Sequence, residues 1–337
     1  MANEKKVTMK DIAEELDVSI VTVSKALAGK EGVGDSLREK ILRKSKELGY
    51  VIKRSTVSER GGSRSIAIII AERFIGDDSF YAKIYQSMLM ELTARGLIGI
   101  MEIVRYADED KGVMPNVLSM QEIEQVIVIG EMDRFFLSQL EKTGKKIVLF
   151  DFENEDFDID SVVGDNINGG YLLTRYLIKN GYNKVGFIGN FKSTRSILDR
   201  YLGYRKYLIA NDMEFENDWV ISDRDEFGVD IPIMLPINMP EAFVCSCDVT
   251  AYRAIEALKK NGYSVPEDIA VVGYDDYANN MIPGVELTTY RVNTADMITQ
   301  CVNVVEQKCT DPDYRHGTSI SYGKLIERKT TLKKGQK

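Results

Sequence analysis

At 337 residues, with 44% hydrophobic and 28% charged positions, the chain exceeds one typical domain and is too apolar to be a disordered tail. The opening MANEKKVTMKD lacks the apolar stretch of a secretory signal, and the longest apolar run, IAIII at 66–70, is too short to span a bilayer, so a cytoplasmic protein is expected. The net charge of −8 hides an asymmetry: residues 1–64 carry 14 Lys and Arg against 10 Asp and Glu, which leaves 30 against 42 for the rest, a basic head on an acidic body.

Thr8-Met9-Lys10-Asp11 sets a capping hydroxyl three residues ahead of a carboxylate, a start signal for a helix with Ile12, Ala13 and Leu16 on one face. That helix ends at Asp17-Val18, and Ser19 is placed to cap a second one in which Thr22, Val23, Ala26 and Leu27 keep helical spacing. A third helix follows Gly34-Asp35, with Leu37, Ile41, Leu42 and Leu48 as its apolar stripe and Gly49 as its C-cap. Gly34 has no side chain to cap with, so Asp35 or Ser36 is expected to serve. Two short helices joined by a tight turn and closed by a third predict a helix-turn-helix domain. Its second helix offers Ser19, Ile20, Val21, Thr22, Ser24 and Lys25 near the N-terminal end. Small side chains of this kind suit base edges and thymine methyls, and Lys25 can reach a guanine or a phosphate. A three-helix docking module is the alternative at this level.

Residues 53–65, KRSTVSERGGSRS, are polar, basic and glycine-containing, and mark a domain boundary. Beyond them, apolar runs at 66–70, 97–104, 126–130, 147–150, 185–189, 242–245 and 269–273 alternate with amphipathic segments such as 81–95. That rhythm predicts an α/β body of parallel sheets with right-handed crossovers, long enough for two halves with a ligand cleft between them. Cys245, Cys247, Cys301 and Cys309 form no metal-type CxxC pair and read as free thiols of a reducing compartment, so neither metal nor cofactor is expected. The one G-x-G, Gly32-Val33-Gly34, lies in the head with Leu37 where a third glycine would stand, and no P-loop is present. A single histidine, His316, removes most Ser-His and Cys-His schemes, and an enzyme is not expected.

The segments 7–33 and 37–50 resemble the head of the lactose-repressor and galactose-repressor family of bacterial transcription regulators. Thr8, Asp11, Ile12, Ala13, Val18, Ser19, Thr22, Val23, Ser24, Lys25, Val33, Arg38, Ile41, Leu48 and Tyr50 match its pattern, with Gly34 and Leu37 as departures. The resemblance implies DNA contacts from Thr8, Ser19, Ile20, Val21, Thr22, Ser24, Lys25 and Arg54, and a hinge segment that wedges an apolar residue into the minor groove. The wedge position falls on Glu59, a carboxylate that phosphates would repel; Val57 serves if the register shifts by two, and a plain tether is the third option.

The body resembles the same family's sensing domain, which is similar to periplasmic sugar-binding proteins, in residues 164–189, 200–208, 264–276, 287–292 and 325–328. By position, Arg200 and Asp275 match its most regular effector contacts. An Arg fork donates to ring hydroxyls while a carboxylate accepts from them. Phe80 and Tyr81 match its cleft lining, Phe152 a stacking position, Ser196 and Arg224 or Asp225 lesser contacts, and Cys247 a frequent Asn contact, with Asp248 expected to cap the helix after it. The expected division is a DNA-binding domain at 1–52, a hinge at 53–65, a two-lobed effector-binding and dimerisation domain at 66–330 and a tail at 331–337. The resemblance implies a repressor, associated with the nucleoid, that binds a palindromic operator as a homodimer and responds to a small molecule, a sugar or sugar derivative. Regulation by a protein partner and a plain solute-binding role are the rivals.

Overall fold

The computed structural model describes residues 9–27, 33–48, 65–75, 80–225, 228–277, 281–311 and 313–332. Two compact units result, Met1–Glu59 and Arg60–Lys337.

In the first unit α1 (Met9–Leu16), α2 (Ile20–Leu27) and α3 (Asp35–Glu47) close over Ile12, Ala13, Val23, Ala26, Val33 and Ile41, with Leu16, Val18, Leu37 and Leu48 packed around them. The apolar residues spaced three and four apart thus do meet, although Leu42 is only half-buried. Asp17 makes the turn between α1 and α2 at a φ of 51°, in the left-handed region that a short polar side chain tolerates. Ser19 caps α2: its Oγ accepts from the Thr22 N–H at 3.0 Å. Gly34 occupies the cap position of α3 and offers only its carbonyl, which accepts from the Arg38 N–H at 2.9 Å. The Thr8 and Gly49 caps lie outside the described residues.

The second unit has two lobes. The first contains β1 (Ser65–Ala71), α4 (Phe80–Ala94), β2 (Ile98–Val104), α5 (Tyr106–Asp110), β3 (Ile123–Ile129), α6 (Arg134–Glu141), β4 (Lys146–Phe150) and β5 (Asp160–Gly164). The second is built from α7 (Asn166–Lys179), β6 (Val185–Ile188), α8 (Arg195–Ala210), β7 (Val220–Ile221), β8 (Ala242–Cys245), α9 (Asp248–Lys260), β9 (Ala270–Asp275) and β10 (Thr288–Arg291). The chain then returns: α10 (Thr294–Thr310) packs on β4 and β5, β11 (Thr318–Ser321) pairs with β5, and β12 (Lys324–Ile326) goes back to β10. The sheets run β11-β5-β4-β3-β1-β2 and β12-β10-β9-β8-β6-β7, parallel throughout except for β12. Strands such as SIAIIIA are apolar on both faces because helices cover both, the usual condition of a parallel sheet.

Three segments therefore cross between the lobes, and they are tied together. The Asp165 N–H donates to Ser321 O at 3.0 Å, and Ser321 Oγ donates to Asp296 Oδ2 at 2.6 Å.

Helices α7 and α8 pack with almost no separation, and glycines make this possible. A Cβ on Gly170 would lie 2.1 Å from Arg200 O, and one on Gly203 would lie 2.0 Å from Ile167 O. On an exposed helix Gly→Ala is stabilising by about 1 kcal/mol. Here Gly203→Ala should instead destabilise by about 2–3 kcal/mol, because two backbones must part. Urea denaturation gives the sign directly, and a stabilised variant would show that the helices slide apart freely.

Candidate functional site

In both sheets the order reverses between the first and third strands, and the carboxyl ends of the strands face the gap between lobes, where such sheets bind ligands. Strand ends deliver Phe74, Glu131 and Asp151 from the first lobe and Ser246 and Asp275 from the second. Asp151 and Asp275 hold positive φ values of 69° and 103°, strained for residues other than glycine. Strain of about 1–3 kcal/mol each is characteristic of positions whose side-chain direction is fixed by function.

Arg200, one turn into α8, is the centre of this site and is only 6% exposed. Its Nε donates to Asn166 Oδ1 at 2.9 Å, one terminal nitrogen donates to Ser246 O at 2.7 Å, and the other lies 3.4 Å from Asp275 Oδ1. Its guanidinium stacks 3.8 Å from the centre of the Tyr274 ring. From the other lobe, Tyr81 OH donates to Asp151 Oδ2 at 2.8 Å. Burial raises the Asp151 carboxyl and pushes Asp275 up to about 8, against the pull of Arg200 in both cases. Asp275 Oδ1 and Tyr274 OH, both buried, have no hydrogen-bond partner. The arrangement is one fixed cation between two carboxylates, with acceptor capacity to spare.

The lobes meet around this centre. The Arg195 N–H at the start of α8 donates to Glu131 Oε2 at 2.7 Å, Arg195 pairs with Glu155, and Lys83 donates to Tyr277 O at 3.2 Å. Phe80 and Tyr277 touch edge-on across the gap, with ring centres 5.4 Å apart. A cavity of about 480 Å³ lies between Arg73, Phe74 and Met132 on one side and Ser193, Thr194 and Arg224 on the other. A smaller one of about 190 Å³ lies against Asp275, Phe80 and Tyr277.

On the head, the N-terminal end of α2 presents Ile20, 49% exposed, beside Lys25, Ser19 and Thr22. Ser19 Oγ and Thr22 Oγ1 lie 2.8 Å apart, so the capping hydroxyl also holds its neighbour.

Residues 8–52 match the model of bacterial regulatory proteins, lacI family, and residues 174–331 match that of the periplasmic binding protein-like domain. The chain carries a lacI-family head and a periplasmic binding protein-like body. It is 28% identical over 344 residues to the HTH-type transcriptional regulator RegA of Clostridium saccharobutylicum, covering 96% of this chain and 99% of that one. Its fold resembles a complex of the transcriptional regulator CelR with cellobiose (TM-score 0.67, 23% identity, 96% and 100% coverage). It also resembles the lac repressor dimer bound to operator and the anti-inducer ONPF (TM-score 0.67, 22% identity, 97% and 100% coverage). This protein is a transcriptional regulator with an effector-binding domain, and not an enzyme.

In the body the sequence-derived residues do not all share one place. Arg200, Asp275 and Tyr81 meet at the centre, and Phe80 lines the smaller cavity. Arg224 and Cys247 form a second group with Asp223 and Thr250: Arg224 donates to Asp223 Oδ2 at 2.7 Å, and Cys247 Sγ lies 3.7 Å from Arg224. Ser196 sits in the first turn of α8 with its Oγ 3.2 Å from Thr194 Oγ1. Phe152 is 3% exposed and packs in the first lobe's core, next to Asp151. One expectation is corrected. Cys247, not Asp248, caps α9, its Sγ accepting from the Thr250 N–H at 3.5 Å. Asp248 is buried one residue later and accepts from Thr289 Oγ1 at 2.6 Å. Thr8, Arg54, Val57 and Glu59, and the side chains of Val21 and Ser24, lie outside the described residues. Sequence reasoning missed Asp151, Asn166, Tyr274 and Glu131, whose local signals are no more than a carboxylate or an aromatic at a strand end, or an amide at a helix start.

Among the described residues no helix is long and apolar enough to cross a membrane.

Proposed function

We propose that this regulator is a repressor that reads a near-palindromic operator as a homodimer and responds to a sugar or sugar derivative held between the lobes of its body. The buried Arg200–Asp275 pair carries this reading, with acceptors beside it that lack partners. An Arg fork donates to ring hydroxyls and a carboxylate accepts from them, which is the pattern a polyol needs. The structural relatives support it: one is a complex with cellobiose, the other a dimer on operator DNA. Arg200, Asp275, Tyr81 and Phe80 are the first-rank effector contacts, and Ser196, Arg224 and Cys247 the second. Because effector and operator are linked, each alters the other's affinity through the angle between lobes and the spacing of two heads.

The test is operator affinity measured by fluorescence anisotropy with and without a panel of sugars. The expected result is a shift in Kd with one sugar that Asp275→Ala removes. A Kd indifferent to every sugar would overturn the effector reading. Within the same assay Lys25→Ala should cost about 1–3 kcal/mol on the preferred operator and far less on random DNA if Lys25 touches bases. Equal losses on both would reduce Lys25 to a phosphate contact.

A further inference from the structure

The arginines that surround the cleft are already bound to carboxylates of the protein itself. Arg73 pairs with Glu109, Arg195 with Glu155, Arg200 with Asp275 and Arg224 with Asp223. Beside the smaller cavity, Arg291 pairs with Asp276 and Lys83 donates to a carbonyl. A helix N-terminus is the other common seat for an anion. The start of α8 does face the gap, but there Glu131 accepts from the Arg195 N–H.

What remains on offer is of the opposite kind. Asp275 Oδ1 and the Tyr274 hydroxyl lack hydrogen-bond partners, although Asp275 is 8% exposed and Tyr274 fully buried. Asp151, 6% exposed, faces them from the other lobe with Tyr81 as its hydrogen-bond donor. Two cavities between the lobes carry the same sign. Glu109, Asp110, Glu131 and Asp133 line one with only Arg73 and Arg224. Glu131, Glu153, Glu155 and Asp156 line another, of about 510 Å³, with only Lys192 and Arg195.

We propose that the effector is an uncharged, unphosphorylated polyol, and that Asp151 and Asp275, facing it from opposite lobes, exclude its phosphate esters. This rests on the polyol reading above and adds the charge class to it. Hydroxyls supply the donors that the two carboxylates and Tyr274 need, and their oxygens accept from Arg200. A phosphate would enter an acidic, desolvated gap in which each of these arginines already has a carboxylate partner. Specificity of this kind comes from repulsion of the wrong ligand as much as from attraction of the right one. Burial raises both carboxyls, Asp275 to about 8, so the exclusion is fullest above that pH.

The experiment uses the full chain and matched pairs: glucose, fructose, galactose and ribose against their terminal phosphate esters, and cellobiose against its 6′-phosphate. Thermal shift identifies the pair that binds, and calorimetry at pH 9, where Asp275 is ionised, measures it. The free sugar should bind at least 100-fold more tightly than its ester, and Asp151→Asn should narrow that ratio at least tenfold. The wild-type ratio stands even if the variant folds poorly. An ester bound as tightly as its sugar, or more tightly, overturns the charge class and leaves the polyol reading intact. An unchanged ratio in a folded Asp151→Asn variant overturns the role of Asp151. If no member of any pair binds, the polyol reading fails and this inference falls with it.

Discussion

Replacing Arg200 with alanine should cost the body about 3–5 kcal/mol of stability and abolish the effector response in the same step. The size follows from what the side chain satisfies: Asn166 Oδ1, Ser246 O and the Asp275 carboxylate, all on buried residues, together with the face of Tyr274. Breaking a buried pair by removing one partner leaves the other charge without compensation, a larger loss than the pair's net worth. Asp275 can escape part of that penalty by taking up a proton. The double variant Arg200→Ala, Asp275→Asn should therefore recover about 1–2 kcal/mol of the loss. Arg200→Lys keeps the charge but not the planar fork, and should restore stability better than it restores binding. Chemical denaturation of the three variants, with calorimetry on the identified sugar, tests this. A loss below about 1 kcal/mol in Arg200→Ala would mean that the guanidinium is not held as a buried cation.

The second large effect concerns pH. Burial raises Asp275 to about 8 and Asp151 in the same direction, so the folded body binds protons that the unfolded chain releases near pH 4. For Asp275 stability is fully present below the unfolded value and is lost as pH climbs toward 8, at no more than about 1.4 kcal/mol per pH unit, and Asp151 acts in the same direction. Asp160 and Asp223 act in reverse. Lys308 and Tyr314 hold the first below the usual carboxylate range, and Arg224 and Thr250 hold the second there. Their contribution is present above about pH 4 and lost below it. Stability should peak in mildly acidic solution and decline on both sides. Asp275→Asn should remove most of the alkaline decline, leaving the variant about 2–4 kcal/mol more stable than wild type at pH 9 and nearly equal at pH 5. A variant less stable than wild type at pH 9 would show that the ionised Asp275–Arg200 pair is net stabilising.

The sequence makes the central strands legible because they are apolar on both faces, as in IAIII and VIVIG, while β5, β7, β10, β11 and β12 fall outside those runs. Strand β11, TSIS, lies at an edge with two of its residues exposed, and β5 opens on a buried Asp160. That aspartate is tolerable only because Lys308, Tyr314 and Gly317 converge on it from more than 140 positions downstream. Arg200 and Asp275 were legible because each sits in a short local pattern, Arg-x-x-Gly-aromatic and GYDD, and the glycine in the first has a steric reason. Asp151 and Glu131 were not, since their role depends on groups from the opposite lobe. The cap of α9 went astray for a local reason. A thiol accepted the N–H at Cys247, where hydroxyl and carboxylate are the usual choices, and α3 begins behind a glycine.

The threefold passage of the chain between lobes means that neither lobe is a severable piece of sequence. A protease cut between 212 and 218 would nick the body without liberating half of it, because α10 and β11 belong to the first lobe though they follow β10 of the second. Grafting the second lobe of one regulator onto the first of another would require three splice points, at about 165, 292 and 322, rather than one. A stop codon before residue 294 would damage the lobe encoded first, removing a helix that covers β4 and the strand that flanks β5. Ligand preference in this body can therefore be exchanged side chain by side chain far more readily than by recombining halves.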